Sequence, residues 1–439
     1  MTEEILINKA KEVLDSNFNL DKGFTIPSKG LYPFQWNWDS GFIAIGFAHY
    51  DIEKAKREVI TLLSGQWSNG FLPHIIFHDH SDSYFPGADF HNSYLHPAAP
   101  RDIKTTGMTQ PPVLGFALKE IYDIAKDKYD ILTFIKTVID KVFHNHQYFY
   151  ENRDPNQEGL VFIYHNWESG TDNSPIWDDI WETMNPPKYN FERRDTTHVD
   201  ASQRPTNREY DFYLHLIEIA KTHNYDDKKI AELSPFLVQD PLFNAMLIKS
   251  NTALIELYEL IGDSEDKINT LRGWDEKAVH TFNKKLFNKD LGAYVHYDLR
   301  NEYQIGHLTS SSFAALYSQI PSKDQASILV DTLMDKFGNN DNYLCASFNP
   351  YSERFNPKKY WRGPVWINLN WILYNGLNNY GYSDIAQRVK NDTIEIISNN
   401  GFYEYFDPRK EVHKDRNTGY GGNNFSWSAA LLMDFFKRG

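Results

Sequence analysis

The sequence predicts an all-α protein: paired helices closed into an α/α toroid, with long ordered loops and a few short strands covering one end. Three observations carry this. Apolar residues recur mainly at helical spacing, in about a dozen stretches often joined in pairs by short turns. Strand signals are few and short, chiefly at 292–297 and 402–406. The connectors at 72–102, 152–200 and 404–423 are too long for simple links, and their Trp, Tyr, His and Pro mark them as ordered.

The elements follow in order. Ile5, Ala10, Val13 and Leu14 form one face of an opening helix. Residues 41–49 are small and apolar, and Asp51 then caps a second helix running through Ala55, Val59 and Leu63. Gly70 follows a turn. Further helices are expected at 109–126, with Pro111 and Pro112 in its first turn, and at 131–150, 207–222, 241–261 and 265–287. The series continues at 310–319, 323–337, 363–378, 383–399 and 424–437. No Gly-rich phosphate loop follows a strand and no fixed-period repeat appears, which removes dinucleotide-binding folds and solenoids. A length of 439 residues suggests about three domains at ~150 residues each, but large barrels break that rule. No linker-like stretch divides the chain, so residues 1–439 are read as one catalytic domain. The part around 150–240 is read as an insertion roofing the site.

Composition excludes several classes. At 41% hydrophobic and 24% charged, the chain is ordinary globular material and not a disordered one. Lys plus Arg number 45 against 59 Asp plus Glu, and the resulting charge of −14 repels phosphate backbones. A nucleic-acid partner is therefore not expected. No apolar run approaches the ~18 residues that cross a bilayer, and the opening residues carry no basic, then apolar, export signal. A soluble, cytoplasmic chain is expected, with self-association left open. A single cysteine, Cys345, rules out an internal disulfide framework. The aromatic share is the unusual figure: 11 Trp, 27 Tyr and 29 Phe make 15%, many beside Asn, Asp and His.

That pairing suits sugars, because flat rings cover C–H faces while amides and carboxyls bind hydroxyls. Residues 32–41 (Tyr-Pro-Phe-Gln-Trp-Asn-Trp-Asp-Ser-Gly) hold Tyr32, Trp36, Trp38 and Asp39. The plain alternative there is a helix start capped by Asp39 or Ser40. Residues 66–74 have the same chemistry and bring in Gln66. Residues 167–175 place Asp172 just before a helix start at Ser174–Pro175, held by Gly170 between Trp167 and Trp177. Aromatic surroundings raise a carboxyl's pKa, as a general acid at neutral pH requires. The alternative is a capping aspartate on an exposed turn. Residues 402–408 set Glu404 inside an aromatic strand, where an unpartnered charge is costly unless it faces water from an edge. Residues 360–366, with Trp361 and Trp366, and 425–430, with Trp427, each open a helix, and core packing alone would explain them. His74, His78, His80, His91 and His96 crowd one loop without the spacing of a known metal motif, so neither metal nor cofactor is expected. No nucleophile elbow occurs.

In their order along the chain these segments resemble glycoside hydrolase family 63, in the small bacterial branch of mannosylglycerate and glucosylglycerate hydrolases. The matching pieces are Trp38–Ser40, 70–74, the Gly-Met-Thr-Gln-Pro-Pro run at 107–112, 167–175, Arg204-Pro205-Thr206, 360–366, 404–408 and 425–427. The resemblance implies an (α/α)6 barrel and inverting hydrolysis of an α-linked glucosyl or mannosyl residue on a small glycoside. It assigns Asp172 as general acid and Glu404 as general base, their carboxyls roughly 6.5–9.5 Å apart. It places Tyr32, Gln110, Arg204 and Tyr210, with Tyr84 more loosely, around a glycerate. Trp36, Trp38, Asp39, Trp361 and Trp366 then line the sugar. Arg204 suits a carboxylate by a two-pronged contact, the plain alternative being a loop pin to a neighbour such as Asp200. Asn37 and the His-rich loop depart from the pattern. A trehalase-like enzyme on a neutral glycoside such as glucosylglycerol remains an alternative. So do a sugar epimerase, which would draft His165 or His307, and a non-catalytic sugar-binding toroid, against which Asp172 and Glu404 together argue. Glucose and mannose differ by one hydroxyl's orientation, which the sequence does not decide.

Overall fold

Outer and inner segments alternate along the chain, and the inner ones close a ring. The structure, a computed structural model, describes residues 2–262, 264–414 and 418–437. Helix α1 (Glu3–Asn17) is outer, α2 (Asn37–Ala48) inner, α3 (Ile52–Ser64) outer, α4 (Leu114–Ile124) inner and α5 (Lys128–Asn152) outer. Helices α6 (Asn207–Thr222) and α7 (Asp227–Leu233) lie off the ring. Helix α8 (Pro241–Ile261) is inner and α9 (Glu265–Lys285) outer, and a 3₁₀ segment, Ser310–Leu316, takes the next inner place. Helices α10 (Lys323–Phe337) and α12 (Ser383–Asn400) are outer, α11 (Ile367–Asn379) and α13 (Ser426–Lys437) inner. Each inner segment packs on the next, and α13 returns to α2. This is an (α/α)6 toroid.

Burial explains the layers. Every residue of α2 is buried, as an all-round inner helix requires, whereas α1 buries only Leu6, Ala10, Val13, Leu14 and Asn17. Ile5, expected on that stripe, is 45% exposed, and Leu6 one position on takes its place. Asp51 caps α3 as expected, accepting the Lys54 amide. Other boundaries differ. Pro111 and Pro112 precede α4, which starts at Leu114, and the segment before it puts Gln110 at the site. The stretch at 310–319 is a 3₁₀ segment, its start fixed by reciprocal bonds between Thr309 and Ser312. Helix α11 begins at Ile367, since Val365 is used in bridges to Ala346 and Phe406. Helix α13 begins at Ser426 and α9 ends at Lys285. The strand expected at 292–297 is split between two small sheets, as Ala293–Tyr294 and His296–Asp298.

Among the described residues no helix is long and apolar enough to cross a membrane. The segments entering the inner helices converge at one end. There the first turn of α2, residue 110 before α4, residues 360–366 before α11 and the start of α13 line one cavity. Residues 153–240 add a second apolar core over it, around Trp177, Trp181, Tyr213 and Phe236. Arg153 anchors this part, paired at 3.0 Å with Glu168 and at 2.6 Å with Asp227, all buried. Glu168 also accepts the amides of Tyr164 and Thr109, so the segment before Asp172 and the one before α4 share an anchor. Removing one partner of such a buried set costs about 3–5 kcal/mol.

Candidate active site

Asp172 follows a 3₁₀ turn (Asn166–Ser169) that ends at Gly170, φ +75°. A Cβ at Gly170 would meet the Trp38 ring at 2.5 Å, so only glycine fits both the turn and the close approach. Asn166 donates to the Asp172 carbonyl at 2.6 Å, and Trp177 to that of Thr171 at 3.0 Å, fixing the loop. The carboxyl opens on the cavity and accepts the Tyr360 hydroxyl at 3.2 Å. Burial pushes it up to about 7, against the pull of Arg204 and Tyr360 and with a push from Glu404. The capping-aspartate alternative fails, for Ser174 is the N-cap and Asp172 makes no cap bond.

Glu404 sits on the strand Tyr403–Phe406, paired antiparallel with Gly419–Asn423. It is 2% exposed, so this is no solvent-facing edge residue. Its carboxylate accepts the Tyr32 hydroxyl at 2.8 Å and the Gly422 amide at 3.0 Å. Burial raises it above the usual carboxyl range, while Arg204, the Gly422 amide and Tyr32 favour its ionised form. Tyr32 and Tyr360 hydroxyls lie 3.5 Å apart. Asp172 and Glu404 are thus joined by steps of 3.2, 3.5 and 2.8 Å, which limits the separation of Oδ2 and Oε1 to about 9.5 Å.

Arg204 lies between them. Its Nε donates to Asp195 at 3.1 Å, its guanidinium covers the Tyr360 ring at 4.1 Å, and its Nη1 is 3.8 Å from Glu404. Asp200, named in the loop-pin alternative, instead caps the turn at Ser202, and Asp195 is the neighbouring carboxylate that Arg204 holds. Asp195 is held a second time, by Nε and Nη2 of Arg193; burial opposes its charge, yet the two arginines keep its carboxyl below the usual range. Among the described residues Arg204 Nη1 has no hydrogen-bond partner, leaving one buried, cationic donor free in the site.

The other expected residues gather here. Trp38 faces Trp427 edge-on at 5.5 Å, and its amide donates to Gln110 Oε1 at 3.2 Å. Trp361 and Trp366 stack at 3.6 Å, and Trp36 holds Tyr84 edge-on at 5.3 Å. Tyr210, under the Arg193 guanidinium at 4.5 Å, closes another side. Asp39 is inside the first turn of α2 rather than its cap; burial, then Glu404, pushes its carboxyl well above the usual range. In the protonated form it donates and accepts, as sugar hydroxyls do.

Gln66 is not at the site. Its amide donates to the carbonyls of Gly70 and Lys141, tying the turn at 66–70 to α5. His165 is buried outside the cavity, bonded to the Tyr213 carbonyl and the Trp167 amide, and His307 pairs with Asp179. Neither is placed as an epimerase's proton shuttle. The His-rich loop is dispersed: His78 bonds Gln35 and stacks on Phe24, while His96 stacks on Trp67. Among the described residues no group of three or more His, Cys, Asp or Glu could hold a metal ion. Sequence reasoning missed Tyr360, Asp195, His74, Trp167 and Tyr213 as lining residues. Tyr360 had a signal, adjacent to Trp361; Asp195, in a polar stretch, had none.

Residues 32–428 match the family model of the mannosylglycerate hydrolase MGH1-like glycoside hydrolase domain. The chain belongs to that family. As a glycoside hydrolase of this family it is 37% identical to a mannosylglycerate hydrolase of Rubrobacter radiotolerans, over 99% of this chain and 98% of that protein. It is 33% identical to a glucosylglycerate hydrolase of Mycolicibacterium hassiacum, over 92% of each. The family fold is matched by the crystal structure of the family 63 mannosylglycerate hydrolase from Thermus thermophilus in complex with Tris and D-glycerate. That match has a TM-score of 0.89 at 37% identity, over 99% of this chain and 100% of the other.

Proposed function

We propose that this chain is an inverting α-glycosidase that cleaves α-mannosylglycerate or α-glucosylglycerate to the free sugar and glycerate. The observation that carries this reading is the pair of carboxyls, Asp172 and Glu404, facing one cavity with the free Nη1 of Arg204 between them. Asp172, held up near 7 by burial, donates its proton to the leaving glycerate oxygen. Glu404, whose ionised form Arg204, the Gly422 amide and Tyr32 favour against the push of burial, takes a proton from water as that water attacks C1 from the opposite face. The bond to glycerate breaks, the bond to water forms, and the anomeric configuration inverts.

Arg204, with Tyr32, Tyr84, Gln110 and Tyr210, holds the glycerate. Trp36, Trp38, Asp39, Trp361, Trp366 and Trp427 hold the sugar, and Gly170 lets Trp38 close against the acid's loop. The whole chain acts as one catalytic unit, with 150–240 as its roof. A carboxylate substrate needs a fixed cation in a protein of charge −14, and Arg204 supplies it. Incubation with α-mannosylglycerate, α-glucosylglycerate, glucosylglycerol and trehalose tests this. Free sugar is expected from the glycerate conjugates; cleavage of the neutral pair alone would overturn the glycerate assignment.

A further inference from the structure

Each inverting cleavage leaves the site in the wrong protonation state for the next. Asp172 has given its proton to the leaving oxygen and is a carboxylate; Glu404 has taken one from water and is a carboxylic acid. One proton must pass from Glu404 to Asp172 before the site can act again. We propose that it passes inside the protein, along the hydroxyls of Tyr32 and Tyr360. This rests on the acid and base roles given to Asp172 and Glu404 above.

The path is continuous. Glu404 Oε1 lies 2.8 Å from the Tyr32 hydroxyl, that hydroxyl 3.5 Å from Tyr360's, and Tyr360's 3.2 Å from Asp172 Oδ2. The middle step is at the outer limit of a hydrogen bond, so it is where the relay must tighten. After cleavage Glu404 donates to Tyr32, Tyr32 to Tyr360, and Tyr360 to Asp172. Each hydroxyl passes on its own hydrogen as it receives the next: three O–H bonds break and three form. Asp172 ends neutral, Glu404 ends as the carboxylate, and both tyrosines are unchanged. Burial pushes both phenols well above their ordinary value, so the hydrogens shift together and no free tyrosinate forms.

Two further features fit a relay better than simple packing. Tyr360 has φ +46°, a conformation that costs a bulky residue on the order of 1–3 kcal/mol. It is held there by the Trp361 amide bonding Asn173 at 2.9 Å and by the Trp361–Trp366 stack, and it carries the hydroxyl into reach of both Tyr32 and Asp172. The Arg204 guanidinium lies over both rings, at 4.1 Å from Tyr360 and 5.9 Å from Tyr32, and pins them side by side. Solvent reaches little of the path's Glu404 end: Glu404, Tyr32 and Tyr360 are all under 9% exposed, and Asp172 is the half-buried end.

Rapid-quench kinetics with α-mannosylglycerate at pH 6, where most sites start with Asp172 protonated, in dilute buffer test this. The parent enzyme should release sugar linearly from the first turnover, independent of buffer concentration. Tyr360→Phe keeps the ring beneath Arg204 but breaks the relay. It should release one sugar per active site in a burst, followed by a steady rate on the order of 10²-fold slower, the low end of a positioned proton transfer's contribution. That slow rate should rise as imidazole is added. Tyr32→Phe should behave alike. A lost substrate contact slows burst and steady phases together, and slowed product release gives a burst whose slow phase ignores imidazole; only a broken relay gives a burst whose slow phase imidazole speeds. If both variants are linear and insensitive to imidazole, the relay is overturned while the hydrolase reading stands. If the parent enzyme releases no sugar, or the retained anomer, the acid and base assignment fails and the relay falls with it.

Discussion

Replacing Arg204 by Ala separates two roles that the geometry gives it. The first is shared by every substrate. Arg204 favours the ionised forms of Glu404 and Asp172 and lies 3.8 Å from Glu404, so its loss raises both carboxyls further and leaves less of the base ionised whatever the aglycone. The second belongs to acidic substrates alone. A desolvated Arg–carboxylate contact is worth about 2–5 kcal/mol when one partner is cut away. At 1.36 kcal/mol per tenfold, that is roughly 30-fold to several thousand-fold in kcat/KM. Nη1, buried and without a hydrogen-bond partner among the described residues, is the group that would make the contact. The assay is kcat/KM on α-mannosylglycerate and on uncharged glucosylglycerol, for the parent and the variant. The ratio of the two should fall by at least about 30-fold, carried mainly by KM. Arg204→Lys should recover only part of it, because a single ammonium cannot hold Asp195 and the substrate carboxylate in the guanidinium's fixed geometry. Equal losses on both substrates would refute the reasoning and reduce Arg204 to a partner of Asp195 and Glu404.

Asp172→Asn and Glu404→Gln should each lower turnover by ~10²–10⁴-fold with circular dichroism unchanged, since each removes one proton-transfer group. In the parent, kcat/KM should decline as pH rises through about 7, where the Asp172 acid is lost; a flat profile from pH 6 to 8 would contradict that. The same carboxyl affects stability. Its folded pKa lies above the unfolded one, so the folded state binds the extra proton between about 4 and 7, and stability falls as pH rises across that window. Asp172→Asn escapes this fall, and its Tm advantage over the parent should be larger at pH 8 than at pH 4. Gly421→Ala places a Cβ 2.2 Å from Glu404 Oε2 at φ +70°, and displacing the base by about 1 Å should cost on the order of 10²-fold in kcat.

The site was more legible than the fold's fine boundaries, for a physical reason. Trp36, Trp38, Asp39, Trp361, Trp366 and Trp427 stand just before or within the first turns of inner helices, and so many aromatic and polar side chains are out of place unless a ligand uses them. Asp172 and Glu404 were visible as carboxyls in aromatic company. Gln66 looked the same by composition, but its amide is spent on the Gly70 carbonyl of its own turn and the Lys141 carbonyl of α5. Tyr360 was under-read because its role depends on a positive φ and on partners 188 and 328 positions away. Asp195 acts only through Arg204, a contact that no local pattern announces. The 3₁₀ segment Ser310–Leu316 has the apolar spacing of an α-helix, and its three serines shift the balance only once the inner ring is packed around it.

The central claim is that Asp172 and Glu404 work on opposite faces of one α-glycosidic bond. Proton NMR of the sugar released from α-mannosylglycerate, recorded before mutarotation, tests it most directly. β-Mannose should appear first and the α-anomer grow in afterwards; α-mannose appearing first would mean that the configuration is retained and the two carboxyls do not act from opposite faces.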